Sequence, residues 1–191
     1  MNTLVLALAV AGVFLVAVYS IYVSLIKKRN KVQEAFSSIS IQLKKRYDLI
    51  PNILTIANKF MEHERGLMSE ITKLRSQVLA VPEGFANLDK KVELDNIIKS
   101  KMQQLLVSVE NYPQLKSDAT MVTAMQTYNE VEEHIAAARR FFNSAVNELN
   151  NAVDIFPSSV IATMIGIKRQ NFFEITEAEA KPVNAQDFFT K

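Results

Sequence analysis

Residues 29–52 carry apolar side chains at steps of three or four residues, and polar side chains lie between them. The apolar positions are Val32, Phe36, Ile39, Leu43, Tyr47 and Ile50. This spacing places side chains along one stripe of an α-helix, so the pattern predicts an amphipathic helix, which we call the stem. Pro51 lacks the N–H that would bond to the carbonyl of Tyr47, so we expect the helix to kink or break there.

The same periodicity predicts further helices after Pro51. The apolar stripe resumes at Leu54 and continues to about Val81, where a Pro-Glu-Gly sequence ends the helix. A second stripe covers residues 88–111 and a third covers 119–156, with Ser117 or Asp118 expected as its N-cap. The pattern predicts an all-α fold, an antiparallel up-and-down bundle of three long helices and a short fourth.

Residues 4–26 form an apolar segment without a charged side chain. A helix of this length extends roughly 35 Å, which is enough to cross a hydrocarbon core of about 30 Å. A buried core helix and a cleaved signal peptide are alternatives, but no Lys or Arg precedes the segment and no typical cleavage site follows it. Residues 26–32 contain no Gly or Pro, so we expect the membrane helix to continue into the stem.

Basic residues are concentrated immediately after the apolar segment. Seven Lys or Arg lie within residues 27–46 against a single acidic residue, Glu34. We call the first four the basic collar: Lys27, Lys28, Arg29 and Lys31. The positive-inside rule predicts a single-pass protein with its N-terminus outside and its helical domain in the cytoplasm, and each collar residue would attract anionic lipid headgroups by about 1 kcal/mol.

The sequence lacks the motifs of the common catalytic and binding sites. It has no cysteine, four scattered glycines, and two histidines, His63 and His134, neither in the Glu-x-x-His motif of di-iron bundles. For nucleic-acid binding the folded domain offers only short basic pairs such as Lys90 and Lys91. We therefore expect no enzymatic activity, no metal or other cofactor, no small-molecule substrate and no nucleic-acid partner.

Two rows of polar side chains interrupt the apolar helices. They are Arg46, Asp48 and Asn52 on the stem, and Arg140, Asn143 and Asn147 on the third helix. If the rows face each other, their interhelical hydrogen bonds would fix the register of the two helices. The alternative is that the asparagines face water.

The segment at residues 160–167 is apolar on every side and is too short to span a membrane. It would cap the end of the bundle, contact another subunit or insert into the membrane surface. The subunit-contact residues would be Val160, Ile161, Met164, Ile165 and Ile167. Counting helix directions places the segment far from the anchor unless Pro51 reverses the chain, so insertion ranks last.

Several sequence blocks together resemble the LemA family of bacterial membrane proteins. They are RNKVQEAF at residues 29–36, QLKKRYDLIPN at 42–52, YPQL at 112–115, ARRFFN at 138–143 and FPS at 156–158. The resemblance implies an antiparallel helical bundle in the cytoplasm behind one membrane anchor, and no settled biochemical activity. It gives three parts: an anchor at residues 1–28, the bundle at 29–173 and a mostly irregular tail at 174–191. A branch associated with magnetosome membranes implies a role in membrane organisation.

The sequence predicts a protein of the inner membrane whose partners are the lipid bilayer, copies of itself in a coiled-coil-like assembly and other membrane proteins. The leading hypothesis is a non-enzymatic scaffold that self-associates and organises membrane or partner proteins. The alternative is a monomeric regulatory adaptor that binds a distinct signalling protein.

Overall fold

The structure is a computed structural model that describes residues 2–82, 84 and 87–173. Within these residues the chain is helical and contains no strand, which confirms the predicted all-α class. The helices are α1 (Asn2–Ala57), α2 (Arg65–Ala80), α3 (Leu88–Val109), α4 (Pro113–Lys116), α5 (Ala119–Asp154) and α6 (Ser158–Met164). The predicted irregular tail at residues 174–191 lies outside the described residues.

The chain divides into two compact units. The anchor unit combines residues 2–42 with residues 135–173, and the central unit spans residues 43–134. Helices α1 and α5 each contribute residues to both units. The up-and-down bundle expected from the sequence, and its boundaries at residues 28 and 173, stay predictions.

The first part of α1 in the anchor unit exposes its apolar side chains. Residues 3–17 are exposed on every side of the helix. Among the described residues, α1 is the one helix that is long and apolar enough to cross a membrane. A core helix would be buried, and residues 3–17 are not, so the exposure of these residues argues against the buried-helix alternative for this part of the apolar segment.

The stem part of α1 buries the stripe that the sequence pattern predicts. Val32, Phe36 and Ile39 are buried in the anchor unit, and Leu43, Tyr47 and Ile50 are buried in the central unit. In the anchor unit the Phe36 ring lies 6.4 Å from that of Phe142 on α5. The Phe173 ring meets the Phe142 ring edge-on at 6.5 Å. Burial of these rings holds α5 and the chain near Phe173 on the stem.

Helix α1 does not end at Pro51 but continues to Ala57, so a break at this position is excluded. The carbonyl of Tyr47, which loses its usual partner because proline has no N–H, accepts a hydrogen bond from the Arg75 Nε of α2 at 2.6 Å. The Arg75 side chain thus satisfies the backbone group that would otherwise make proline costly inside the helix.

The chain reverses at residues 58–64, where the sequence pattern had predicted one continuous helix to Val81. The apolar stripe gave no sign of this turn, because Ala57 before it, Met61 within it and Met68 after it are all buried. The expected long helix is therefore two helices, α1 and α2. The missed turn adds one reversal to the chain and changes the expected direction of each later helix.

The N-terminus of α5 is capped as the sequence predicts. The Oδ1 atom of Asp118 accepts hydrogen bonds from the N–H groups of Thr120 and Met121, both at 2.9 Å. Backbone N–H groups in the first turn of a helix have no carbonyl acceptor within that helix, and the Asp118 carboxylate supplies one. Asp118 therefore fixes the start of the helix that carries the polar residues described below.

Candidate functional site

The basic collar is joined to α5 within the anchor unit. The Nζ atom of Lys31 lies 2.8 Å from Glu148 Oε1, and Lys28 Nζ lies 3.8 Å from Glu148 Oε2. The hydrogen bond from Lys31 holds the pKa of Glu148 below its usual value, with smaller contributions from the positive charges of Lys31 and Lys28. Lys27 and Arg29 are exposed. Two collar residues thus pair with protein, and two face outward.

A protruding segment follows α5 in the same unit, and we call residues 155–167 the tip. The tip contains α6 and no charged residue. An ion pair of Asp154 with Arg169 closes its base. Gly166 ends α6 with φ at +71°, a conformation that favours glycine, and so allows the chain to turn back along α5.

Most large apolar side chains of the tip are exposed. Phe156 is 78% exposed and Met164 is 80% exposed, and Ile155, Val160 and Ile165 are exposed as well. Of the predicted subunit-contact residues, Val160, Met164 and Ile165 therefore lie on the surface, whereas Ile161 is half-buried and Ile167 is buried. Ala162 and Ile167 of the tip are buried, and the rest of its large apolar side chains give it an apolar outer surface.

Two asparagines of α5 hold the chain that returns from the tip. Asn143 bonds through both amide atoms to the backbone of Phe173, at 3.0 Å to its carbonyl and 2.8 Å from its N–H. Asn150 makes the same pair of bonds to the backbone of Gln170, at 3.0 and 2.9 Å. The guanidinium of Arg139 lies 4.6 Å from the centre of the Phe173 ring. Residues 170–173 are thereby tied to α5.

The sequence pattern predicted a structural role for Asn143 but not for Asn150. Asn150 follows Asn143 by seven residues, two helical turns, so both occupy one face of α5, and the buried Leu149 and Val146 lie beside them. An asparagine repeated at this spacing next to apolar positions was the signal available in the sequence. Asn147, which the pattern placed in the predicted network, is exposed.

The other predicted network residues lie as follows. Arg140 and Asn52 are exposed, and Asp48 Oδ1 lies 3.8 Å from Arg75 Nη2 of α2. Arg46 is buried in the central unit with the partners described next. The pairing of the stem row with the α5 row stays a prediction, and the hydrogen bonds described for Arg46 and Asn143 go to other residues.

The central unit contains a buried ion cluster around Arg46. Arg46 and Asp95 of α3 are both fully buried and form an ion pair. The Nη1 atom of Arg46 also lies 2.7 Å from Glu132 Oε1 of α5. The Tyr47 hydroxyl donates a hydrogen bond of 2.6 Å to Asp95. The cluster thus joins α1, α3 and α5 within this unit.

Tyr128 of α5 lies beside this cluster. Burial raises the pKa of Tyr128 far above its usual value, and the positive charge of Arg46 opposes the shift only in part. The hydroxyl is therefore protonated at neutral pH. Because Arg46 and Asp95 have no exposed surface, a substrate does not reach them in this conformation, and their arrangement is that of a structural ion cluster.

Asp95 could have been found in the sequence. It lies three residues after Val92 and three before Ile98, so a carboxylate occupies the apolar stripe of α3 and requires a buried cation. As for metals, within the part of the chain that the structure describes, no three His, Asp or Glu side chains lie close enough together to hold an ion.

The chain is similar in sequence to several known proteins. A protein named LemA from Metamycoplasma hominis is 24% identical over 175 residues, which cover 88% of this chain and 78% of the relative. The magnetosome protein MamQ 2 of Paramagnetospirillum magneticum and MamQ of Magnetospirillum gryphiswaldense are each 29% identical over 86 residues. Those alignments cover 45% of this chain but only 32% of each relative.

The family match covers most of the chain and includes both units. The LemA family is matched over residues 35–187, a range that contains Arg46, Asp95 and Glu132 of the ion cluster and both asparagines that hold residues 170–173. The chain belongs to the LemA family.

Proposed function

We propose that this protein is a membrane-anchored, non-enzymatic scaffold that associates with copies of itself at the bacterial inner membrane and organises membrane or partner proteins there. The observation that carries the proposal is the continuity of α1, which changes from an exposed apolar helix at residues 3–17 to the buried stem without a break. An uninterrupted helix transmits position from the bilayer to the folded chain better than a flexible linker does.

The charge distribution supports the proposed orientation. The basic collar lies directly at the stem end of the apolar run, and no basic side chain precedes that run. By the positive-inside rule, the N-terminus faces outward and the folded units lie in the cytoplasm. Protease added to spheroplasts should then leave the folded units intact, and their digestion in sealed spheroplasts would refute this orientation.

The residues with the most unusual chemistry support a non-catalytic role. Arg46 and Asp95 have no exposed surface, and Asn143 and Asn150 bond to the backbone of the protein itself. A catalytic group needs contact with its substrate, whereas these groups join segments of one unit. They give the chain a fixed surface, as a scaffold requires.

The relatives support the organising role. Two of them carry names that place them with the magnetosome, and the LemA family that this chain resembles is one of bacterial membrane proteins. A single-pass protein with one anchor organises a membrane only if several copies act together, because one copy contacts a small area. Self-association is therefore part of the proposal.

The mass of the full-length protein in detergent tests self-association. Light scattering coupled to size exclusion should give an oligomer whose mass is independent of micelle size, and a strict monomer across a tenfold range of protein concentration would contradict it. Crosslinking in cells, followed by mass spectrometry, separates the scaffold from a monomeric adaptor. A scaffold yields mainly crosslinks between two copies of this chain, whereas an adaptor yields crosslinks to one distinct protein.

A further inference from the structure

Contacts within the anchor unit determine how α5 runs along α1. Lys28 and Lys31 pair with Glu148, whereas Phe36, further along α1, packs on Phe142. As the residue number rises on α1, the number of the α5 partner falls. In this unit the two helices therefore run in opposite directions, and the end of α5 points toward the apolar part of α1.

This direction places the tip at the level of the predicted membrane segment. Ile155 follows Glu148 by seven residues, which correspond to about 10 Å along a helix. The same distance back from Lys28 and Lys31 along α1 reaches about Tyr22. Tyr22 lies four residues before Ile26, the end of the charge-free run, or about 6 Å inside it. The tip therefore lies on the membrane side of the basic collar.

Burial along α1 supports this placement independently. Leu25 is only 1% exposed, and Val18, Ile21 and Val23 are half-buried, whereas residues 3–17 are exposed throughout. One side of the helix near the end of the charge-free run is thus covered by folded chain, while Tyr19 and Tyr22 stay exposed. The fold extends past the collar and does not end at it.

We propose that the tip inserts into the bilayer leaflet from which the stem of α1 emerges, with Phe156, Val160 and Met164 in contact with lipid. An apolar surface at this level faces acyl chains and not water, which removes the cost of its exposure. Helices at a membrane surface bury their apolar face by about 5–10 Å, in agreement with the level calculated for Ile155.

The residues at the base of the tip fit the lipid headgroup region. Lys168 and Arg169 follow the tip directly, and both are exposed. Lys168 supplies positive charge for anionic headgroups at the base of the tip, whereas Arg169 is paired with Asp154. The protein would then hold the leaflet at two places, α1 and the tip, which fixes its orientation about the axis of α1. The inference rests on the membrane anchorage in the proposed function and not on self-association.

Fluorescent probes at single cysteines test the insertion, since the chain has no cysteine of its own. The full-length variants Phe156→Cys and Met164→Cys are labelled with an environment-sensitive dye and reconstituted at low protein density into vesicles of phosphatidylcholine and phosphatidylglycerol. Brominated acyl chains should quench both probes several-fold more than a water-soluble quencher does. Val13→Cys in the membrane segment serves as the lipid reference and Val107→Cys on α3 as the water reference, because both native side chains are more than 70% exposed.

The references separate the outcomes. If Val13 is quenched by lipid but Phe156 and Met164 respond like Val107, the insertion is wrong and the anchorage stands. A probe shielded from both quenchers at Phe156 and Met164 would show that another protein copy covers the tip, and it would also overturn the insertion. If Val13 itself escapes lipid quenching, the anchorage fails, and the proposed function with it.

Discussion

The two units differ in which side chains they bury and which they expose. The central unit buries charge, since Arg46 and Asp95 have no exposed surface, whereas the anchor unit exposes apolar side chains such as Phe156 and Met164. In a protein surrounded by water both arrangements are costly. In the central unit the cost is offset inside the protein, by opposite charges, and in the anchor unit it would be offset outside it, by lipid.

The difference shows which of the two units depends on its surroundings for stability. The Arg46 cluster contains its own counter-charges, so its stability does not depend on a membrane. The tip lacks such compensation among the described residues, where five of its large apolar side chains are exposed. The stability of variants in the anchor unit should therefore depend on the detergent or lipid around the protein. The stability of variants in the central unit should not.

The largest expected effect is that of removing Arg46. Arg46→Met leaves Asp95 buried without its cation, and breaking a buried pair in this way costs about 3–5 kcal/mol. We expect that loss in the free energy of unfolding measured by urea titration with circular dichroism in detergent. The loss should have the same size in detergent micelles and in lipid nanodiscs.

Arg65→Met is the matched control in the same unit, because the Arg65 side chain is 67% exposed. It should change stability by less than about 0.5 kcal/mol. Adding Asp95→Leu to Arg46→Met should recover part of the loss, because it removes the buried charge that lacks a partner. Equal stability of the Arg46 and Arg65 variants would contradict the view that the central unit depends on its ion cluster.

The next effect concerns the asparagines of the anchor unit. Asn143→Ala and Asn150→Ala each remove two hydrogen bonds to the returning chain, so we expect a loss of about 1–3 kcal/mol for each variant. The N–H groups of Phe173 and Gln170 donate to these asparagines, and their hydrogen exchange should become faster. Exchange in α3 should be unchanged.

Asn147→Ala is the control for this pair, since Asn147 lies between them on α5 but is exposed. It should leave hydrogen exchange at Gln170 and Phe173 unchanged. If Asn147→Ala accelerates exchange as much as the other two variants do, the effect is one of helix propensity, and the asparagines do not hold the segment specifically.

The sequence determined the buried stripes well because helical periodicity acts over many residues. All six apolar positions of the stem are buried, and so are Met102, Leu105 and Val109 in α3. The reversal at residues 58–64 was missed for a physical reason. A turn that keeps Met61 in the core preserves the apolar pattern, and this turn uses neither Pro nor Gly.

The missed reversal at residues 58–64 also changed the predicted position of the tip. With one reversal too few, the tip was placed away from the anchor, whereas the contacts of Glu148 with Lys28 and Lys31 place it beside the membrane segment. Long-range partners were also beyond the sequence, since nothing local specifies that Arg46 meets Asp95, 49 positions later in the chain. Residue types were predictable, and their partners were not.

A smaller effect tests whether Arg75 compensates for Pro51 in the central unit. Arg75→Met removes the donor to the Tyr47 carbonyl, and we expect a loss of about 1–2 kcal/mol. In a Pro51→Ala background the new N–H of residue 51 bonds to that carbonyl, so the same Arg75 change should cost about 1 kcal/mol less. Thermal unfolding of the four proteins of this cycle measures the coupling. Strictly additive losses would show that Arg75 does not compensate for the proline.

The smallest effect is the pH dependence of Glu148, which tests the contact that sets the level of the tip. Its pKa is lowered in the folded protein from 4.5, so its contribution to stability is present above that value and is lost as the pH falls through the folded pKa. Because the side chain is 40% exposed, Glu148→Gln should cost less than about 1 kcal/mol at pH 7. The difference from the native protein should shrink as the pH falls below 4.5, whereas Glu133→Gln, at an exposed position of the central unit, should change stability at pH 7 by less than about 0.5 kcal/mol. A Glu148 effect that does not shrink as the pH falls below 4.5 would mean that packing and not charge joins α5 to the collar, and the two units would then differ in how they use charge as well as in what they expose.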